Sequence, residues 1–275
     1  NPAIKALGGT YTICIGDVGS TEVSVAPRPT GPERPSEYLD GFGLGVLRSG
    51  RGAGQRDLWL FYGGVRGHAH YDPLTLGMHG YGRDLLPNIG YPQSWNFASA
   101  WEWSLLTHNT VVVDRDEKPC STVVGSLTVW APGSDAAGND TPGCQVMEAS
   151  KRPYRVSEPR GRKGPDVTDY RRLTALIDVG PDQFYALDVF RVTGGRDHLQ
   201  SWHSGATPKL RVTVEGANLT PQPQGTLAGE GVAYGARYRD ASGQERWDPY
   251  CHLKDVARGR MGERLNALGL FPGQE

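Results

Sequence analysis

Glycine and proline recur along the whole chain, and they constrain its fold more than any other feature. Of 275 residues, 38 are glycine and 20 are proline, both above average usage. Because these residues are spread out and not clustered, they favour many short strands joined by turns and argue against a helical bundle. The sequence therefore predicts an all-β fold, an antiparallel β-sandwich.

The chain is predicted to consist of a short lead-in and one large β domain. Residues 1–35 include an extended, proline-rich stretch that cannot be helix interior, and we interpret them as a lead-in or linker. Residues 36–275 are expected to form the sandwich. Long loops are predicted at 133–168, which is rich in Gly, Pro, Asp and Arg, and a helix is expected near 254–268.

Apolar segments bounded by turn residues mark the strands of this sandwich. The first two are expected to form a hairpin around the glycines at 50–54, and Pro181-Asp182 marks a second hairpin turn. The predicted strands are 38–48, 57–65, 74–81, 110–113, 173–179, 184–192, 198–204 and 209–214.

Charge and hydropathy argue against several classes of partner. The formal net charge is −1, so no strong field draws nucleic acid or an acidic membrane. No run approaches 18 apolar residues, which predicts no membrane span. No signal peptide is visible and the first residue is Asn1, so we interpret the sequence as a processed chain or a fragment.

Two local features, a basic run and the four cysteines, can each be interpreted in more than one way. Six lysines and arginines fall within residues 151–163, and they form either a patch for a polyanion or a solvated charged loop. The four cysteines have no C-x-x-C spacing, which argues against a cysteine zinc site. They allow three disulfide pairings, and free thiols are an equal alternative.

Three of the seven histidines lie in two short blocks. The first block is GHAHYD at 67–72 and the second is THNT at 107–110. If the preceding strand continues, His68, His70 and Asp72 lie on one face, because residues two apart share a face of a strand. Two imidazoles and a carboxylate are costly in an apolar core and useful in a site.

These blocks belong to a longer series of motifs that resembles the heparinase II/III-like polysaccharide lyases. The order matches that family over roughly residues 10 to 205 and is most specific in the first 115. The matching segments are EYLDGFG at 37–43, GHAHYD at 67–72, GRDLLPNIGYP at 82–92, HNTVVVD at 108–114, DVFRV at 188–192 and SWH at 201–203.

The resemblance implies a two-part protein. The family combines an N-terminal helical toroid with a C-terminal antiparallel β-sandwich, and this chain resembles only the sandwich. The toroid, which would precede Asn1, is the expected missing partner. The resemblance also implies an acidic polysaccharide substrate and a secreted or periplasmic location.

The implied reaction is β-elimination next to a uronic acid, as in glycosaminoglycans or alginate. A base removes the C5 proton, an acid protonates the leaving oxygen at C4, and a third group neutralises the carboxylate. The resemblance assigns the base to His68 and the other groups to the toroid. The isolated chain is therefore expected to hold half an active site and to be nearly inactive.

The resemblance also implies a bound metal, usually zinc. Its ligands would be His70, Asn88 and His108, a set of two imidazoles and an oxygen that suits zinc. The family has an aspartate where this chain has Asn88, and a neutral amide is a weaker zinc ligand, so another divalent cation is the alternative. Asp72 is expected to orient an imidazole as a hydrogen-bond acceptor.

Two further residues are predicted to bind substrate. Arg83 could meet a carboxylate or sulfate, and His203 could line the cleft; a solvated turn arginine and a structural histidine remain the alternatives. The aromatic residues of 91–103 either stack on sugar rings or pack against the sandwich.

Two other functions compete with the lyase. One is a non-catalytic carbohydrate-binding or scaffold module. The other is a cupin-type metal oxygenase, which needs a glutamate four or five residues after the second histidine. Leu74 and Thr75 occupy those positions, which argues against it.

Overall fold

The computed structural model describes residues 9–14, 20–25, 34–64, 70–88, 101–117, 124–133, 143–158, 162–203, 211–239 and 243–270. In this part of the chain the named elements are strands and the short 3-10 helices Gly52–Gly54, Leu105–Thr107 and Pro249–His252. No helix among the described residues is both long enough and apolar enough to cross a bilayer. The strands are β1 Gly9–Cys14, β2 Ser20–Val25, β3 Glu37–Leu39, β4 Leu44–Ser49, β5 Arg56–Phe61, β6 Thr75–Gly80, β7 Arg83–Leu86, β8 Val111–Val113, β9 Ser126–Ala131, β10 Cys144–Ser150, β11 Tyr154–Glu158, β12 Arg162–Gly180, β13 Gln183–Gly194, β14 His198–Gln200, β15 Arg211–Ala217, β16 Thr220–Pro221, β17 Arg237–Arg239, β18 Glu245–Trp247, β19 Ala257–Arg258 and β20 Met261–Leu270.

Two five-stranded antiparallel sheets form the body of the fold. The first is a meander in the order β3-β4-β5-β6-β7. In the second, β10 and β11 both pair with one edge of β12, β13 pairs with its other edge, and β9 pairs with β10. This architecture confirms the predicted all-β antiparallel sandwich.

The core lies between these sheets and follows the two-residue period of the strands. Leu58 and Leu60 of β5 are fully buried together with Leu76 of β6. They pack in one cluster with Met147 of β10 and Leu176 of β12. Each fully buried leucine contributes about 2 kcal/mol, so this interlayer contact is a main source of stability.

The strand predicted at 57–65 ends earlier than expected, and residues 70–72, the described part of the first histidine block, are not in a strand. β5 ends at Phe61, and His70 to Asp72 have irregular backbone before β6 begins. The segment predicted as one strand at 38–48 is also two strands, because the chain turns at 40–43, where Gly43 has a φ of +82°. A Cβ at Gly43 would lie 2.3 Å from the Cα of Gly63, so the turn requires glycine.

The prediction of long loops at 133–168 is wrong for most of its described residues. β10, β11 and the start of β12 contain most of the residues that the structure describes in this range. Its charged residues pair across strands: Arg155 faces Asp166, with Nε 2.8 Å from the carboxylate, while neighbouring Tyr154 and Val167 point inward. Alternation of charged and apolar residues, and not a loop, explains this composition.

Two further predictions are corrected. Lys151 does not belong to an exposed basic patch, because it is buried and donates to the carbonyl of Gly63 at 3.2 Å. The helix expected near 254–268 is absent from the described residues there, which contain β19 and most of β20, with β20 paired to β15.

In the predicted lead-in, β1 and β2 form a hairpin, and residues 26–33 lie outside the described part.

Candidate functional site

Two histidines and an aspartate meet where the segments before β6 and β8 lie side by side. The ligand atoms of His70, Asp72 and His108 all lie within 4.8 Å of one another. Nε2 of His108 is 2.9 Å from Nδ1 of His70. Asp72 and His108 are buried, while His70 is partly exposed, so solvent reaches the cluster from one side.

Hydrogen bonds between the two chain segments hold this cluster together. They join residues 71–76 to residues 103–110, two segments that are distant in sequence, on both sides of the clustered side chains. The bonds run from Tyr71 N to Trp103 O (3.2 Å), from Leu76 N to Asn109 O (3.2 Å) and from Thr110 Oγ1 to Pro73 O (2.8 Å).

The surroundings of His108 fix its tautomer. Its Nδ1 lies 2.8 Å from the carbonyl oxygen of Ser104, which can only accept, so Nδ1 carries the proton. Burial lowers the pKa of His108 to about 3, and the charges of His70 and His203 act in the same direction. The imidazole is therefore neutral, and its Nε2 lone pair faces His70, the form that binds a metal.

The Asp72 carboxyl is the acidic member of the cluster. Burial raises its pKa to about 7, against the opposite effect of the Lys151 charge. A buried carboxylate beside neutral imidazoles is stabilised by a cation, and two nitrogens with one oxygen are donors that zinc accepts. The residues present therefore fit a divalent metal, with Asp72 in the cluster itself.

Three other residues are predicted for the site. His68 is outside the described residues. Asn88 is exposed and follows the end of β7 by two residues, and its role as a ligand stays a prediction. Arg83 is the exposed first residue of β7, not part of a turn, and its substrate contact stays a prediction.

His203 lies beside the cluster. Its backbone N donates to Oδ1 of Asn109 at 2.6 Å, and its Nε2 lies 2.8 Å from the carbonyl of Leu106. These bonds tie His203 to Leu106 and Asn109, which flank His108 in the sequence. Burial lowers the pKa of His203 as well. Substrate binding by His203 stays a prediction.

Ser104 and Glu117 support His108 and were missed by sequence reasoning. The hydroxyl of Ser104 donates to Oε2 of Glu117 at 2.5 Å, and the backbone N of Leu106 donates to the same oxygen at 3.0 Å. Glu117 is half-buried, and desolvation of its carboxyl raises its pKa. These bonds hold the 3-10 turn that aims the Ser104 carbonyl at His108.

Arg172 is the third missed residue, and it links both segments of the site. Its fully buried guanidinium donates from Nη1 to the carbonyls of Leu74 and Asn109, the first at 2.8 Å. Nε and Nη2 donate to the carboxylate of Asp188 at 2.6 and 3.0 Å. Leu74 has a φ of +55°, a conformation that side chains rarely adopt, and the bond from Arg172 helps to hold it. The sequence signal that could have identified Arg172 is its charge at an inward position of β12, together with the charge of Asp188 at an inward position of β13.

Solved structures of two lyases are similar to this chain. A heparinase III structure is 11% identical, with a TM-score of 0.37, over 72% of this chain and 40% of that one. The heparan sulfate lyase HepC from Pedobacter heparinus is 12% identical, with a TM-score of 0.37, over 80% of this chain and 43% of that one. The chain thus spans about two fifths of the length of these proteins. No curated protein matches it.

The family comparison covers most of the sequence. Residues 31–255 match the family model described as heparinase II/III-like, C-terminal. That range contains both sheets of the sandwich and the cluster of His70, Asp72 and His108. The chain therefore belongs to the heparinase II/III-like family of polysaccharide lyases, as part of its C-terminal region.

Proposed function

We propose that the protein supplies the β-sandwich half of a lyase that cleaves uronic-acid-containing glycans, of the glycosaminoglycan or alginate type, by β-elimination. The match of residues 31–255 to the family carries this proposal. The cluster supports it, because His70 belongs to it and follows His68 by two residues in the sequence. The substrate class favours a secreted or periplasmic location.

In the proposed reaction His68 is the base. Its neutral imidazole takes the C5 proton, which the adjacent carboxylate makes acidic, and the C5–H electron pair becomes the C4–C5 double bond. The bond from C4 to the glycosidic oxygen breaks, and that oxygen takes a proton from an acid. The acid and the group that neutralises the carboxylate are expected from the N-terminal toroid.

Zinc or another divalent cation is proposed to bind the cluster. His70 and His108 supply the nitrogen ligands. The oxygen ligand is Asp72, whose carboxylate lies among them, or Asn88, as the family pattern implies. The bound cation would balance the Asp72 charge and link the two segments, while the chain's own residues orient the histidine block.

The test measures turnover of heparan sulfate, chondroitin sulfate, hyaluronan and alginate by the ultraviolet absorbance of the unsaturated product. The protein joined to a helical toroid of the family is expected to be active, and the 275-residue chain alone nearly inactive. His68→Ala should lower the rate about 10²- to 10⁴-fold, the usual contribution of a general base. His198→Ala is the matched control, because His198 is exposed and bonded to the carbonyl of Gly194.

Undiminished turnover by the His68→Ala variant would contradict the role of His68. Glycan binding by the joined protein with no turnover on any of the four polymers would instead favour a non-catalytic carbohydrate-binding module.

A further inference from the structure

A partly exposed tryptophan lies directly beside the cluster. Trp202 follows the end of β14, and 51% of its surface is exposed. Its two neighbours in sequence are both bonded to the segment that carries His108. The N of Ser201 donates to the carbonyl of Thr110 at 2.9 Å, and the N of His203 donates to Oδ1 of Asn109 at 2.6 Å. The backbone of Trp202 is therefore fixed on both sides.

A buried cation fixes the indole ring as well. The guanidinium carbon of Arg172 lies 5.4 Å from the centroid of the Trp202 ring, and Phe190 lies at 5.2 Å from the same carbon. Arg172 is itself held by Asp188 and by the two segments of the site. A cation over the ring of a tryptophan is attractive, so Trp202 has a preferred orientation.

The exposure of Trp202 is not a consequence of strand alternation. Tyr185 is also 51% exposed, but it lies on the outward face of β13, where every second residue faces solvent. Trp202 lies outside a strand and leaves indole surface in water beside a site. Ligand sites are typically lined by aromatic side chains with a few polar groups beside them.

We propose that Trp202 is a sugar-stacking surface for the acidic glycan. The apolar C–H face of a pyranose ring would pack on the exposed indole, next to His203 and the histidine cluster. Arg172 acts as a positioning residue, because its cation–π contact keeps the indole in place. This inference rests on the proposed function and adds a substrate-binding residue to it.

The experiment measures the affinity of the protein for hexasaccharides of heparan sulfate and alginate by calorimetry, with cellohexaose as the neutral control. Trp202→Ala should weaken binding of the acidic hexasaccharide about tenfold or more, the loss typical of truncating an aromatic anchor. Trp202→Phe should restore most of the affinity, because it keeps an aromatic face. Tyr185→Ala should leave the affinity unchanged.

Tryptophan fluorescence gives a second readout that a merely structural role would not affect. The acidic hexasaccharide should change the emission of the wild-type protein and leave that of the folded Trp202→Phe variant unchanged. Equal affinity of wild type and Trp202→Ala would overturn the stacking role while the lyase proposal stands. If the wild-type protein bound neither acidic hexasaccharide, the stacking role would fail, while turnover by the toroid-joined protein would still decide the proposed function.

Discussion

At the scale of single residues, Asp72 and Asn88 offer the site two different oxygen ligands. Asp72 is 7% exposed, and its carboxylate lies within 4.8 Å of nitrogens of His70 and His108. Asn88 is exposed and offers a neutral amide. A buried carboxylate gains more from a cation than an exposed amide does, so we expect Asp72 to be the stronger ligand.

Reciprocal substitutions separate the two ligands. Asp72→Asn should weaken zinc binding by about 10- to 100-fold, and Asn88→Asp should change it little. Calorimetric titration of the metal-free protein measures both affinities, with His198→Ala as the control. A gain in affinity for Asn88→Asp without a loss for Asp72→Asn would identify position 88 as the ligand.

The sequence could identify the histidines but not what orients them. His70 and His108 stood out because their residue types and order form a pattern. Ser104 acts on His108 through a backbone carbonyl, a group that every residue carries. Glu117 acts on His108 indirectly, by accepting a hydrogen bond from Ser104. No residue pattern in the sequence therefore indicates that Ser104 or Glu117 orients the histidine.

At the scale of the elements, two buried ion pairs differ in what they join. Arg172 and Asp188 connect β12 and β13 to the two segments of the site. Arg56 and Asp178 are equally buried, 2.6 Å apart, and Arg56 also donates to the carbonyl of Pro181 in the turn after β12. The second pair therefore matches the first in type and burial but holds a turn instead of the site.

We expect Arg172→Met and Arg56→Met each to lower the free energy of unfolding by about 3–5 kcal/mol, because each leaves a buried aspartate without its partner. Only Arg172→Met should also weaken zinc binding. Urea denaturation measures the first effect and metal titration of the folded variants the second. Equal zinc affinity in both variants would show that Arg172 does not position the site.

The charged strands show why some elements escaped prediction. Polar residues between 143 and 168 resembled loop composition, yet Arg155 and Asp166 pair across neighbouring strands. Such a pairing depends on which strands are adjacent, and adjacency is a property of the folded sheet. β13, whose apolar residues are more numerous, was predicted almost to its ends.

At the scale of the whole molecule, the metal is expected to stabilise the fold, because only the folded chain brings the ligands together. At a metal concentration of 100 times Kd this contributes about 2.7 kcal/mol. A chelator should therefore lower the Tm of zinc-loaded protein by roughly 5–10 °C. Differential scanning calorimetry measures the shift, and His108→Ala should show none. A Tm that is unaffected by chelation in the wild-type protein would contradict a bound metal.

The fold class could be predicted because it depends on features spread over the whole sequence. Dispersed glycines and prolines required short strands, and alternating apolar residues required a buried face. The arrangement of the sheets could not be predicted in the same way. β12 pairs with β10 and β11 along one edge and with β13 along the other, which follows from three-dimensional packing alone.

The bond from Arg172 to both Leu74 and Asn109 has a consequence for how the protein folds. It joins a strand of the second sheet to segments that belong to the first half of the chain, 98 and 63 residues away. Contacts of such long sequence separation have a larger loop-closure cost than local ones, so we expect this bond to form after the local hairpins. The histidine cluster should therefore be assembled only in the final stage of folding, so that partially folded chains are unable to sequester metal ions.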